Sequence, residues 1–123
     1  MAKITGVARQ FFDTLEAGKG SETCKLYCTP DASFCHAVGT DGQFSHTREY
    51  ADGCAKFLQI CPDANYIVKS FATDEERNNV CVYAVITGTH IGEGGPCRPT
   101  HKTTTTDYAY WMDFDGDKIR HMT

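Results

Sequence analysis

Apolar side chains recur at Ile4, Val7, Ala8, Phe11, Phe12 and Leu15. That spacing predicts an amphipathic helix over residues 4–17, closed by Gly18 and Gly20. Ser21 to Tyr27 reads as a second, short helix with Ser21 as its N-cap, stopping before Pro30. Alternation over residues 32–37 predicts a short strand with Phe34 and His36 on one face, and residues 39–42 form a turn. A third helix opens with Thr47 as its cap, carries Tyr50, Cys54, Phe57, Leu58 and Cys61 at helical spacing, and ends at Pro62. From Ala64 the pattern turns strand-like to Ala72, and the charged stretch Asp74 to Asn79 is a hairpin loop. Two long arms follow, residues 79–90 and 102–114, joined by a Gly/Pro-rich connection. A tight turn at Asp115 to Asp117 then leads into a last strand from Lys118.

The arms dominate the pattern. At roughly 3.3 Å per residue each spans on the order of 40 Å, long enough to require a bend or a bulge. The first arm is apolar on both alternating faces: Val80, Val82, Ala84 and Ile86 on one, Cys81, Tyr83 and Val85 on the other. Both faces should therefore be covered. The second arm carries an aspartate, Asp107, between Thr106 and Tyr108, a position that strand propensity disfavours. Helices first and a run of antiparallel strands afterwards make an α+β domain.

Composition narrows the function classes. The chain has 123 residues, 41% hydrophobic and 23% charged, as in an ordinary soluble globular domain with a real core. The formal net charge of -4, with no concentrated basic face, argues against nucleic acid as a partner. No apolar run approaches the ~20 residues that span a bilayer, and the N-terminus does not resemble a signal peptide. A cytoplasmic protein with no membrane partner is expected. The seven cysteines are odd in number and irregularly spaced, so they read as reduced, mostly buried small residues, with Cys97 in the loop the most exposed. Cys28, Cys35 and His36 could begin a metal site, but no second pair at ligand spacing completes it.

Four phrases, in order and covering nearly the whole chain, resemble the nuclear-transport-factor-2-like superfamily, and within it the SnoaL-like polyketide cyclases. They are the N-terminal helix with Phe11 and Phe12; Pro62 and Asp63 stepping into the strand that holds Tyr66 to Val68; Gly88, Thr89 and His90 followed by a Gly/Pro loop to Pro99 and Lys102; and Met112 to Ile119, similar to the family's "DGKI" hairpin. The sequence departs from that pattern in three places. His101 stands where the family has glycine, Asp117 is inserted in the hairpin turn, and the chain ends at Thr123, short of the family's last strand and tail. The resemblance implies a single SnoaL-like domain over residues 1–123, truncated at its C-terminus. It also implies a curved, mostly antiparallel mixed sheet forming a cone around the N-terminal helices, a cystatin-like roll. A homodimer through the outer sheet face and a pocket for a small, apolar, carbonyl-bearing ligand follow from it as well.

Cyclases of this kind close rings by aldol chemistry without metal or organic cofactor, so none is expected. They need a base for the proton beside a carbonyl and a donor for the enolate oxygen. The resemblance assigns Asp107 as acid/base and His90 on the adjacent arm as its helper. The bland alternative leaves Asp107 hydrogen-bonded to its neighbours and His90 capping the strand. Ligand contacts are expected from His36 and Phe34, and from Tyr27 and Tyr50 at the rim. Trp111 shares the parity of Asp107, so it lines the pocket if Asp107 does and otherwise packs in the dimer contact; Tyr108 and Tyr110 then face the other side. The expected activity is a cyclase, isomerase or dehydratase, and the alternative is a non-catalytic binding or dimerisation module on the same fold.

Overall fold

The computed structural model describes residues 3–36, 44–95 and 97–123. Helix α1 runs Lys3–Glu16 and is followed by the short α2, Ser21–Cys24, and a 3-10 turn, Lys25–Tyr27. Strand β1 is Cys28–Phe34, helix α3 is Thr47–Ile60, and four strands complete the chain: β2 Asn65–Asp74, β3 Asn79–Thr89, β4 Thr103–Asp115 and β5 Lys118–Met122. The expected turn at residues 39–42 lies outside the described residues. The sheet order is β1-β5-β4-β3-β2, with β1 parallel to β5 and every other pair antiparallel. The result is an α+β fold whose five-stranded mixed sheet does not close. None of the described helices is long and apolar enough to cross a membrane.

The predicted stripe of α1 is the centre of the core. Ile4, Ala8, Phe11, Phe12 and Leu15 are buried against Val80, Val82 and Ala84 of β3 and Tyr110, Met112 and Phe114 of β4. Phe12 touches Tyr66 and Tyr110 edge-on, with ring centroids 5.2 and 5.8 Å away, and lies parallel to Tyr108. The long pair β3–β4 keeps one register from Asn79↔Asp113 to Thr89↔Thr103. The anticipated irregularities fall in its neighbours instead, between Val68 and Ser70 of β2 and between Asp113 and Phe114 where β4 meets β5. A bulge there lets the outer strands turn while the central pair stays continuous.

Both helix caps differ from expectation. Gly20, with φ 78°, is the N-cap of α2, and the Ser21 N–H donates to Asp52 Oδ1 at 2.8 Å. At α3 the cap is His46, whose N–H donates to Glu49 Oε1 at 2.9 Å. Thr47 instead ties α3 to β1, its buried hydroxyl donating to the Ser33 carbonyl at 2.9 Å. His101 has φ 61°, the left-handed region where glycine is at ease. The glycine of the family pattern therefore has a physical reason at this position, and histidine occupies it under strain.

Candidate functional site

A cavity of about 700 Å³ opens between α3, β3, β4 and the loop after β3. Its walls are mostly apolar, with Phe44, Phe57, Leu58, Ile60 and Ile86 among them, and Gly94 and Gly95 at one side. The loop is held down by the Ile91 and Gly92 N–H groups, both donating to the Ile60 carbonyl at 3.2 and 2.8 Å. Gly92 is required there because any Cβ would overlap the Gln59 carbonyl oxygen.

One wall is polar. Glu16, the last residue of α1, stands over the sheet with each carboxylate oxygen accepting a tyrosine hydroxyl. Tyr108 donates to Oε2 and Tyr110 to Oε1, both at 2.9 Å. The Tyr50 hydroxyl, on α3, meets that of Tyr110 at 2.7 Å. All four residues line the cavity, as does Cys54. Burial pushes the Glu16 carboxyl above its ordinary value of 4.5, against the two tyrosine hydrogen bonds, which act to lower it. The hydroxyls of Tyr50, Tyr108 and Tyr110 are pushed upward, first by burial, with the Glu16 charge adding to it. The Cys54 thiol is raised to about 12 by burial first and then by Glu16. At neutral pH these four groups therefore keep their protons, and Glu16 is the group in the network poised to exchange one.

The residues singled out from the sequence fall in different places. Asp107 is exposed and projects from the outer face of β4, paired with Val85. The expectation that it lines the concave side is corrected: Tyr110, Met112 and Phe114 fill the core, and the two-residue period sends Asp107, Ala109, Trp111 and Asp113 outward. Tyr108 and Tyr110 consequently face the cavity. Trp111 is 44% exposed on the outer face.

His90 shares the inner parity of β3 but lies beyond the strand's end, well along the ladder from Asp107 and on the opposite face, so the pair is not brought together. Its Nδ1 accepts from the Thr100 N–H at 3.4 Å. Its Nε2 is buried under Gly95 and has no hydrogen-bond partner among the described residues. Tyr50 lines the cavity. Phe34 is buried behind it, stacked on the Tyr50 ring at 4.5 Å. His36 is exposed and meets the Phe34 ring edge-on at 5.0 Å. Tyr27 packs edge-on against Phe11 and does not reach the cavity wall.

Sequence reasoning missed Glu16, Tyr108 and Tyr110. A signal for Glu16 was present: it extends the buried series Ile4, Ala8, Phe12 by one more step of four. A carboxylate on an apolar stripe is placed against the sheet rather than into water.

The SnoaL-like domain family matches residues 8–122, almost the whole chain. The chain belongs to the SnoaL-like domain family, within the nuclear-transport-factor-2-like superfamily. Among solved structures it is similar to a candidate SnoaL-like polyketide cyclase from Jannaschia sp. CCS1, with TM-score 0.77 and 17% identity over 98% of this chain and 82% of that one. It is also similar to AclR, a candidate hydroxylase from Streptomyces galilaeus, with TM-score 0.76 and 17% identity over 99% and 73% of the two chains. A cystatin-fold protein from Novosphingobium aromaticivorans gives TM-score 0.70 and 18% identity over 99% and 96%. At these identities the likeness is one of fold. No curated protein sequence matches the chain.

Proposed function

We propose that this SnoaL-like protein is a cofactor-independent acid/base enzyme of the cyclase, isomerase or dehydratase type, acting on a small apolar molecule that carries a carbonyl. The observation that carries the reading is Glu16, a carboxylate at the wall of an apolar cavity with both oxygens held by tyrosine hydroxyls. Desolvation makes a carboxylate a stronger base, and the hydroxyls fix where its lone pairs point. Glu16 takes the proton beside the carbonyl, and the apolar walls hold the carbon skeleton. Asp107, on the outer face, has no part in this step, and His90 is packed behind Gly95 of the loop.

A probe of the right class is 2-tetralone, whose α-hydrogens exchange with D2O at a rate NMR follows. The wild-type protein accelerates that exchange, and Glu16→Gln lowers it by roughly 10²-fold or more, the scale of one general base. Equal rates in the two proteins contradict the assignment of Glu16. Exchange at the buffer rate in the wild type favours the binding-module alternative.

The outer sheet face supports a homodimer. Ile67, Tyr83 and Trp111 are 58%, 40% and 44% exposed. The strand register makes one patch of them with Cys81, Val85 and Ala109. A monomer would leave that face in water, where it is prone to association. Seven free cysteines favour a reducing compartment, the cytoplasm.

A further inference from the structure

The hydrogens in the Glu16 network can be counted. With Glu16 ionised, Tyr108 and Tyr110 each have one hydroxyl hydrogen, and both are given to the carboxylate. Tyr110 then has none left for Tyr50, so in the 2.7 Å contact Tyr50 is the donor. Three contacts use three hydrogens. The ionised network has acceptor lone pairs facing the cavity and no O–H to offer it.

One added proton changes this. Glu16 with a proton on Oε2 donates to the Tyr108 oxygen, and the Tyr108 hydrogen turns to the cavity after a single bond is reversed. Releasing the Tyr50 hydrogen instead requires two reversals, through Tyr110. Tyr110 is committed on both sides, whereas Tyr108 has Glu16 as its one hydrogen-bond partner among the described residues.

We propose that Tyr108 is the catalytic donor to the substrate's carbonyl oxygen, and that it becomes a donor only when Glu16 has taken the α-proton. The inference rests on the reading of Glu16 as the base. The step balances within the network: the C–H bond breaks and its proton goes to Glu16. The electron pair moves to the carbonyl oxygen, Glu16 passes a proton to the Tyr108 oxygen, and Tyr108 gives its own to the enolate. The product is the enol, with Glu16 ionised and Tyr108 neutral again. A ketone receives no hydrogen bond in the ground state and gains one as negative charge develops, so the interaction is reserved for the transition state. Burial keeps the Tyr108 hydroxyl protonated at neutral pH, as a relay needs. The titratable groups facing Glu16 are Tyr50 and Cys54 from α3, Tyr108 and Tyr110 from β4 and Tyr66 from β2, and Lys56 of α3 lies on the cavity wall.

The substrate class follows as a carbon acid whose oxygen can reach Tyr108 while its α-carbon reaches Glu16. The enol form, a hydroxyl donor, is the species that suits the ionised network. Binding tests this without turnover, using 2-tetralone as an acceptor-only probe and 2-naphthol as an enol mimic. From about pH 8 to below pH 4.5 the affinity of the wild-type protein for 2-tetralone rises about tenfold, one hydrogen bond's worth. That for 2-naphthol does not rise. Glu16→Gln, whose amide nitrogen donates to a tyrosine oxygen and frees one hydroxyl, holds 2-tetralone equally at both pH values. Tyr108→Phe loses the gain at low pH and keeps its affinity for the hydrocarbon tetralin, which shows that the cavity is intact. A low-pH gain that survives in Tyr108→Phe, or is absent from the wild type, overturns the proposal. Glu16-dependent exchange without the pH-linked preference removes the relay alone. The preference without exchange removes the enzymatic reading alone.

Discussion

Replacing Tyr110 by phenylalanine removes one oxygen and little else. The ring keeps its edge contacts with Phe12 and Tyr50, at 5.8 and 5.7 Å, so no cavity of side-chain size opens. What is lost is the hydrogen bond to Glu16 Oε1 and the acceptor for the Tyr50 hydroxyl. A hydrogen bond to a charged group contributes about 1.5–3 kcal/mol, and a half-buried hydroxyl left without a partner costs up to about 1 kcal/mol more. Tyr110→Phe should therefore destabilise the fold by about 1.5–4 kcal/mol at neutral pH. The cost has a pH signature. Glu16 is raised above its ordinary value in the folded protein, so the stability it contributes is fully present below 4.5 and is lost as pH rises through its folded pKa. The Tyr110 hydrogen bond opposes that rise, and deleting it enlarges the loss at neutral pH and spares the acid side. Urea denaturation at about pH 7 and below pH 4.5, with equal slopes in the two proteins, measures both. A loss under about 0.5 kcal/mol at both pH values, or one that grows on acidification, would falsify the network as described.

Other outcomes follow from other parts of the molecule. The stability of the wild type relative to Glu16→Gln should rise as pH falls through the Glu16 titration and level off below 4.5, in the same denaturation experiment. His101→Gly should stabilise the protein by about 0.5–1 kcal/mol, since it relieves a left-handed backbone and returns only part of that as chain entropy; destabilisation would contradict the strain. Trp111→Asp, in the outer patch, should shift sedimentation from dimer to monomer with the Glu16 network intact; an unchanged oligomeric state would contradict the proposed interface. Among the cysteines, exposed Cys35, with its Sγ 3.5 Å from His121 Nε2, should be alkylated long before Cys54, whose thiol is raised to about 12 although it lines the cavity. Mass-spectrometric mapping in which Cys54 reacts first would contradict that.

The architecture could be read from periodicity because the signals were local. The stripe from Ile4 to Leu15, Pro62 and the alternation of the two arms placed the long elements within a few residues of their bounds, whereas β1, expected over residues 32–37, runs Cys28–Phe34 and takes Pro30 into the strand. Which face of β4 turns inward was legible too, from two aspartates: Asp107 and Asp113 have the same parity, and their face could not be the buried one. One carboxylate in a strand reads as a site residue by propensity alone, whereas two on one face mark that face as turned away from the core. The site itself was beyond sequence spacing. Glu16 ends α1, and its partners lie on β4 and α3, so their meeting depends on the angle at which α1 crosses the sheet. Tyr108 and Tyr110 in turn look like ordinary strand aromatics until a carboxylate is placed beside them.

Glu16 is a desolvated carboxylate held by tyrosine hydroxyls. Its titration, followed through the side-chain carboxyl carbon by NMR, addresses that directly. The expected midpoint lies above the ordinary 4.5 and moves higher still in Tyr110→Phe and Tyr108→Phe, because each hydroxyl favours the charged form. A midpoint at or below 4.5, or one that neither substitution moves, would contradict the claim.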